Sequence, residues 1–129
     1  MAKRKIPKEI EEVGFDFHWD ERKVWKLDVP VEEMDIADLE WHFDLPFWST
    51  KDGYYDLKPI EVLEEKEKHK DEYERTMRAD LSHPLDVMWW KGRWVLLDGL
   101  HRLLKAKILG QKTVNVRKIP EEKIPEIGV

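Results

Sequence analysis

Two short apolar runs in the second half of the chain predict a β-hairpin. Residues 85–90 and 93–97 are rich in aliphatic and aromatic side chains, which is typical of buried strands. Lys91-Gly92 lies between them, and a glycine in a two-residue connection favours a tight hairpin turn.

The residues after the hairpin predict a helix and then another strand. Asp98-Gly99 predicts a turn, after which leucine and isoleucine recur at helical spacing over 100–109. Gly110 is a typical helix stop. Polar and apolar residues then alternate over 113–119, which predicts a strand.

The first half of the chain predicts fewer regular elements. Residues 24–29 alternate as a strand that Pro30 ends, and residues 31–41 have the pattern of a short helix. Aromatic residues, proline and glycine over 42–57 predict a loop. Helical patterning around a charge run over 58–80 indicates one or two solvated helices.

This order of elements predicts a small α+β domain, with a mixed sheet and flanking helices. The chain has 129 residues, of which 41% are hydrophobic, so it fits one folded domain and is too apolar for a disordered chain. We expect the domain over 21–120, a charged N-terminal arm over 1–20 and a C-terminal tail over 121–129.

Composition excludes several classes of function. Without cysteine there is no disulfide framework, thiolate metal site or cysteine nucleophile. No segment approaches the ~18 apolar residues of a membrane span, and the charged N-terminus has no signal-peptide stretch, so a cytoplasmic protein is expected.

The net charge of −5 argues against a protein that covers DNA, so nucleic acid is not the expected partner. Basic residues between Lys91 and Lys118, near Trp89, Trp90 and Trp94, leave single-stranded nucleic-acid binding as an alternative. The same tryptophans are equally consistent with a core or a homodimer surface.

The turn at Asp98-Gly99 carries the most informative chemistry. The first turn of a helix leaves backbone N–H groups unpaired, and these attract phosphate. Gly99 lets a ligand approach the backbone, while His101 and Arg102 offer a proton carrier and a planar fork of donors. Asp98 could hold a divalent cation. The alternative is a simple helix cap followed by ordinary surface residues.

The run over 83–119 resembles the core of the ParB/sulfiredoxin-like superfamily. A Pro-hydrophobic step at Pro84 opens a strand, and a hairpin follows it. The turn at 99–102 then has the Gly-x-His-Arg pattern and starts a helix that ends at Gly110 before a final strand. The resemblance extends more thinly over 24–119.

The resemblance implies an α+β fold of that superfamily and a nucleotide site, with Gly99, His101 and Arg102 at the phosphates and His83 near the nucleotide. ATP, ADP or CTP with Mg²⁺ at Asp98 would be the ligand. It also implies catalytic roles for Asp98 and His101 in a nucleotide-dependent phosphotransferase or NTPase that acts on a small-molecule acceptor. A non-catalytic nucleotide-responsive binding module and a DNA-binding or nuclease protein are the alternatives.

Two departures from the family pattern exclude particular functions that members of the superfamily have. Leu100 stands where sulfiredoxins carry their catalytic cysteine, so repair of sulfinic acids is excluded. A helix-turn-helix region of the kind that comes after this domain in partition proteins is not found after the last strand, so a centromere-binding clamp is not expected.

An aromatic cluster over 41–48 offers a second candidate region. Its rings either plug the sheet or form a wall for a base or an acceptor. In the second interpretation His42 and Asp44 face the phosphates, and one of them serves as the catalytic base.

Overall fold

The computed structural model describes residues 7–50 and 53–129, which form an α+β fold. Within these residues the helices are α1 (Lys8–Val13), α2 (Glu21–Trp25), α3 (Pro59–Glu64), α4 (Lys70–Met77), α5 (Leu100–Ile108) and α6 (Ile124–Ile127). The strands are β1 (Val31–Asp35), β2 (Leu85–Trp90), β3 (Arg93–Asp98) and β4 (Thr113–Lys118). Short 3-10 turns cover Ile36–Asp38, Glu40–Asp44 and Glu121–Lys123.

The described strands form one mixed sheet in the order β1-β4-β2-β3. β1 pairs antiparallel with β4, and β2 pairs antiparallel with β3. β2 and β4 run parallel, because α5 carries the chain from the end of β3 back across the sheet. The predicted α+β class, a small mixed sheet with flanking helices, is therefore confirmed.

The predicted hairpin and the helix after it are confirmed. Lys91 and Gly92 both have positive φ, 49° and 85°, as the mirror-image turns of two-residue hairpins require. α5 ends as expected at Gly110, whose φ is 79°. The N–H of Gln111 donates to the carbonyl of Ala106, which completes a Schellman cap.

The two elements predicted before residue 42 were wrong. The strand predicted over 24–29 is not formed, and its first residues belong to α2, which Asp20 caps by accepting the N–H of Arg22 at 2.9 Å. The helix predicted over 31–41 begins as β1, because pairing with β4 overrides the local pattern. Only the 3-10 turns after β1 retain a helical character.

Each face of the sheet is covered by its own apolar cluster. One cluster joins the sheet to α3 and α5 and includes the fully buried Val62, Val87 and Leu104. The other cluster includes Met88 of β2 and Ile127 of α6. Adjacent residues of β2 thus pack into opposite layers, which explains why this strand is apolar over most of its length.

The described parts of both chain ends pack on this second face. The rings of Phe15 and Phe17 contact Trp90, and Trp19 contacts both phenylalanines, with ring centroids 5.2–5.7 Å apart. The indole of Trp90 donates to the carbonyl of Gly14 at 3.1 Å. Residues near both ends of the chain thus cover the sheet and support the position of α2. Among the described helices, none is both long and apolar enough to cross a membrane.

Candidate functional site

A cleft of about 420 Å³ opens where α2 and α5 meet the ends of the sheet strands. It is lined by side chains from five elements: Trp25 from α2, Asp86 from β2, Asp98 from β3, Arg102 from α5 and Arg117 from β4. The sheet therefore brings together residues that are up to 92 positions apart in the chain.

A smaller hollow of about 250 Å³, the side pocket, adjoins the cleft. It shares Asp98 and Arg102 with the cleft and is also lined by Gly99, Leu100 and His101 at the start of α5. The DGLHR turn of the sequence thus lies where two cavities adjoin and share lining residues.

The N-terminus of α5 is open. Its N-cap residue is Gly99, which provides no side-chain cap, and its first turn contains no acidic residue. The N–H groups of residues 100–102 have no partner among the described residues. Such a helix start carries partial positive charge and is suited to bind an anion.

Glycine is required at position 99 for two reasons. Its φ of 118° is strained for any residue with a Cβ. A Cβ there would also lie 2.9 Å from Cγ of Leu85 and 3.3 Å from a terminal nitrogen of Arg102. The turn therefore holds the backbone, the β2 start and the Arg102 guanidinium in close contact.

The Arg102 guanidinium is held in place by three hydrogen bonds. One terminal nitrogen donates to the carbonyls of Pro84 at 2.7 Å and His83 at 3.2 Å. The other donates to Oδ2 of Asp98 at 2.9 Å. Since a guanidinium carries five N–H groups, two have no partner among the described residues and can donate to a ligand.

Asp98 connects the two walls of the cleft. Its Oδ2 accepts from Arg102 and also from the indole nitrogen of Trp25 at 3.0 Å. Trp25 is 55% exposed, so its ring is anchored at one edge while much of its surface stays open to solvent. Since both of these bonds use Oδ2, Oδ1 of Asp98 is the oxygen that can bind a ligand.

A buried ion pair forms the floor of the cleft. Nε of Arg117 donates to Oδ1 of Asp86 at 2.7 Å, and both side chains are almost inaccessible. The same guanidinium donates to the carbonyls of Val24 at 2.9 Å and Leu27 at 2.8 Å. Arg117 therefore fixes α2, and with it Trp25, against the sheet.

The cleft is not a simple basic pocket. Each of its two arginines is already paired with an aspartate, Arg102 with Asp98 and Arg117 with Asp86. Burial raises the pKa of nearby Glu21, and the charges of Asp98 and Asp20 raise it further. An anion would thus meet a site with surplus negative charge, unless a cation enters with it.

His101 is oriented by groups that the sequence analysis did not identify. Its Nε2 lies 3.0 Å from Oε2 of Glu72 in α4, and its ring stacks on Trp48 with centroids 4.4 Å apart. A carboxylate only accepts, so Nε2 carries the proton and Nδ1 is the nitrogen available to a ligand.

His83 borders both cavities. Its side chain is exposed and lies 3.6 Å from the carboxylate of Asp80, while its carbonyl accepts from Arg102. The structure thus brings together the predicted Asp98, Gly99, His101, Arg102 and His83.

His42 and Asp44 are not brought to this site. They lie in the 3-10 turn Glu40–Asp44, which covers the free edge of β3. His42 accepts the N–H of Leu96 at Nε2, 3.1 Å away, and its Nδ1 donates to the carbonyl of Leu39 at 2.8 Å. Both ring nitrogens of His42 are used in the fold, and Asp44 is exposed at the end of the turn.

His42 acts together with Trp41 as a substitute for a neighbouring strand. The indole of Trp41 donates to the carbonyl of Trp94 at 3.1 Å, beside the His42 contact with Leu96. These two bonds satisfy backbone groups that an edge strand would otherwise expose. Of the two interpretations of the aromatic cluster, packing against the sheet is therefore the one observed for these rings.

The buried His42 predicts a pH-dependent stability. Burial lowers its pKa from 6.5 to about 4, so its neutral form stabilises the fold fully above pH 6.5, and this contribution is lost as the pH falls towards 4. Between about pH 7.5 and 4.5 we expect a loss of about 2–3 kcal/mol in the free energy of unfolding from this group.

Urea unfolding of the wild type, His42→Gln and His83→Gln at both pH values measures this contribution. The His42→Gln variant should be less stable at neutral pH and lose this part of the pH dependence, while His83→Gln should keep it. Equal pH dependence in all three proteins would show that His42 is not the responsible group.

Comparison with protein families, curated proteins and solved structures finds no match for this chain. The cleft, the side pocket and the motif at 98–102 are therefore the features from which its function is inferred.

Sequence reasoning missed three members of the site. The sequence pattern predicts a strand at Trp25 and only a solvated helix at Glu72. Asp86 did carry a signal, because an aspartate inside the apolar run LDVMWW is expected to have a buried partner. That partner, Arg117, lies 31 residues away and is brought close only by the β2–β4 pairing.

Proposed function

We propose that this chain is a cytoplasmic nucleotide-binding protein, with the phosphates in the side pocket and the nucleoside in the cleft. The observation that carries the proposal is the open N-terminus of α5 beside the fixed guanidinium of Arg102. The resemblance of residues 83–119 to the ParB/sulfiredoxin-like superfamily supports the same site.

Phosphate binding is expected from the donors at the side pocket. Oxygens placed over Gly99 would meet the free N–H groups of residues 100–102 and the positive end of the helix dipole. The two remaining N–H groups of Arg102 are further donors at this position. Because Gly99 has no side chain, the phosphate can approach the backbone closely.

Trp25 is suited to hold the nucleoside. Its indole is fixed by the hydrogen bond to Asp98, and its exposed ring can stack on a base. A volume of about 420 Å³ is within the range of small-molecule sites.

The carboxylates of the site fit a magnesium ion. Oδ1 of Asp98 is a hard oxygen ligand beside the phosphate position. Glu21 lines neither cavity but interacts with Asp98, whose charge adds to the effect of burial in raising the pKa of Glu21, and a cation would relieve this repulsion. When bound, Mg²⁺ would neutralise phosphate charge that the paired arginines leave uncompensated.

Two forms of the proposal differ in the consequence of binding. In a phosphotransferase or NTPase, His101, oriented by Glu72, would carry a proton for a small-molecule acceptor. In a binding module, nucleotide occupancy would change the position of α2 and so the surface offered to a partner. We favour the module, because Asp98 is held by two donors and the base candidates His42 and Asp44 lie elsewhere.

Calorimetric titration with ATP, ADP and CTP, each with and without Mg²⁺, tests the proposal. We expect one of them to bind, and to bind more tightly when Mg²⁺ is present. The absence of binding at about 1 mM for every nucleotide would contradict it.

A turnover assay with the nucleotide that binds separates the two forms. The enzyme form predicts hydrolysis or transfer that Asp98→Asn abolishes while binding stays measurable. The module form predicts binding without turnover in either protein.

A further inference from the structure

Three metal-ligating side chains converge outside the nucleotide site. They belong to Glu61 in α3, Glu65 at its C-terminal end and His69 just before α4. One carboxylate oxygen of each glutamate and one ring nitrogen of the histidine lie within 4.8 Å of one another.

Backbone hydrogen bonds connect the three residues across the junction between α3 and α4. They are spaced four residues apart, and the N–H of Glu65 donates to the carbonyl of Glu61 at 2.8 Å, while the N–H of His69 donates to the carbonyl of Glu65 at 3.1 Å. Glu65 and His69 are the non-helical residues that end α3 and precede α4. The three side chains therefore converge at a turn whose backbone is held by these bonds.

The histidine in this cluster has an unexplained polar atom. Nε2 of His69 is buried and has no hydrogen-bond partner among the described residues. The large majority of buried side-chain polar atoms in folded proteins have a partner, either protein or ordered water. A metal ion bound through this nitrogen would give it the partner that the described residues do not provide.

The two glutamates add a second reason for a bound cation. Like charges one helical turn apart destabilise a helix. One oxygen of Glu61 accepts the N–H of Lys58 at 3.0 Å, which fixes that carboxylate, and the nearest paired cation is Lys68, 3.9 Å from Glu65. Since this ion pair is exposed, it compensates little of the negative charge.

We propose that Glu61, Glu65 and His69 form a site for a divalent transition-metal ion such as Zn²⁺. Two carboxylates and one imidazole offer this ion three ligands of its usual types, with bonds of about 2.0–2.2 Å and water in the open position. The imidazole favours Zn²⁺ over Ca²⁺ and Mg²⁺, which prefer oxygen ligands. Closing the ligand atoms around the ion requires only small side-chain movements from the observed separation.

The site is independent of the proposed nucleotide function, since none of its three ligands lines the cleft or the side pocket. It would join the end of α3 to the start of α4. Bound metal is therefore expected to stabilise the chain without any nucleotide present.

Calorimetric titration of the chelator-treated full chain with Zn²⁺ tests the site, with Co²⁺ as a spectroscopic probe of its ligands. His69→Ala and Glu65→Gln should each weaken binding by about tenfold or more. The controls His83→Ala and Glu64→Gln alter an exposed histidine and the neighbouring exposed glutamate, and should bind as the wild type does.

A thermal unfolding measurement adds a readout that does not depend on heat of binding. Zn²⁺ should raise the melting temperature of the wild type and of both controls, but not that of His69→Ala. The inference is overturned if the wild type shows no saturable binding, or if His69→Ala binds as tightly as the wild type. Loss of binding only in His83→Ala would place the ion elsewhere and overturn it equally.

Discussion

Replacing Arg117 with methionine should lower the free energy of unfolding by about 3–5 kcal/mol, the largest stability effect we expect in this protein. The change leaves the carboxylate of Asp86, which is 2% exposed, without its 2.7 Å partner. It also removes the donors to the carbonyls of Val24 and Leu27. The cost thus combines an unpaired buried charge with the loss of two hydrogen bonds, although the carbonyl of Val24 still accepts the N–H of Leu27 at 3.1 Å.

Lys118→Met is the matched control for this prediction. Lys118 is the next residue of β4 and pairs with Glu32 at 2.9 Å, but both side chains are substantially exposed. Its replacement should cost less than about 1 kcal/mol. Urea unfolding of both variants makes the comparison, and equal losses would show that burial of the Asp86–Arg117 pair has no special role.

A double-mutant cycle with Asp86→Asn separates the ion pair from the backbone bonds. Removing both charges should cost clearly less than the sum of the two single changes, because each single change leaves one buried charge unpaired and the double change leaves none. Additive losses would instead assign the stabilisation to the bonds between Arg117 and the carbonyls of Val24 and Leu27.

Gly99→Ala should cause the second-largest loss in the free energy of unfolding, and it should also weaken nucleotide binding. The new Cβ must adopt a φ of 118° and meets Leu85 at 2.9 Å, so we expect a loss of about 2–4 kcal/mol. It also lies 3.3 Å from the Arg102 guanidinium, so nucleotide affinity should fall as well.

Gly110→Ala isolates the packing part of this loss. Gly110 also has a positive φ, 79°, but a Cβ there would have open space around it. Its replacement should cost about 1 kcal/mol from backbone strain and leave nucleotide binding unchanged. Thermal or urea unfolding compares the two variants, and similar losses for both would refute the close packing of Gly99 against Leu85.

The second half of the fold could be predicted from the sequence because its signals are local. Lys91-Gly92, Gly99 and Gly110 each sit at a positive φ that glycine tolerates or that a two-residue hairpin turn demands. These positions define where the hairpin turns and where α5 begins and ends. The short helix α2 and the strand β1 depend instead on partners far along the chain, α6 and β4, which a local pattern does not contain.

The residues of the candidate site likewise fall into a part that local sequence predicts and a part that only the fold brings together. The motif residues of 98–102 were found because they are contiguous, although their mutual pairing was not foreseen. The Asp98–Arg102 ion pair spans one helical turn at the start of α5, so part of the guanidinium that looked free for phosphate is already engaged. Trp25 lies 73 residues before Asp98, and Arg117 lies 31 residues after Asp86. Only the folded sheet brings the members of each pair into contact at the cleft.

The comparison that most directly tests the nucleotide site is calorimetric titration of the wild type, Arg102→Lys and Arg93→Lys with ATP, ADP and CTP in the presence of Mg²⁺. Lysine keeps the positive charge but loses the planar fork that Asp98 and Pro84 hold in place. Arg93 begins β3, at the end of the strand opposite to Asp98, and serves as the matched control. Circular dichroism of each protein confirms that it is folded.

We predict that one nucleotide binds the wild type and Arg93→Lys equally, and binds Arg102→Lys about tenfold more weakly or worse. Equal binding to all three proteins, or no binding to any of them at about 1 mM, would contradict a phosphate site at the start of α5.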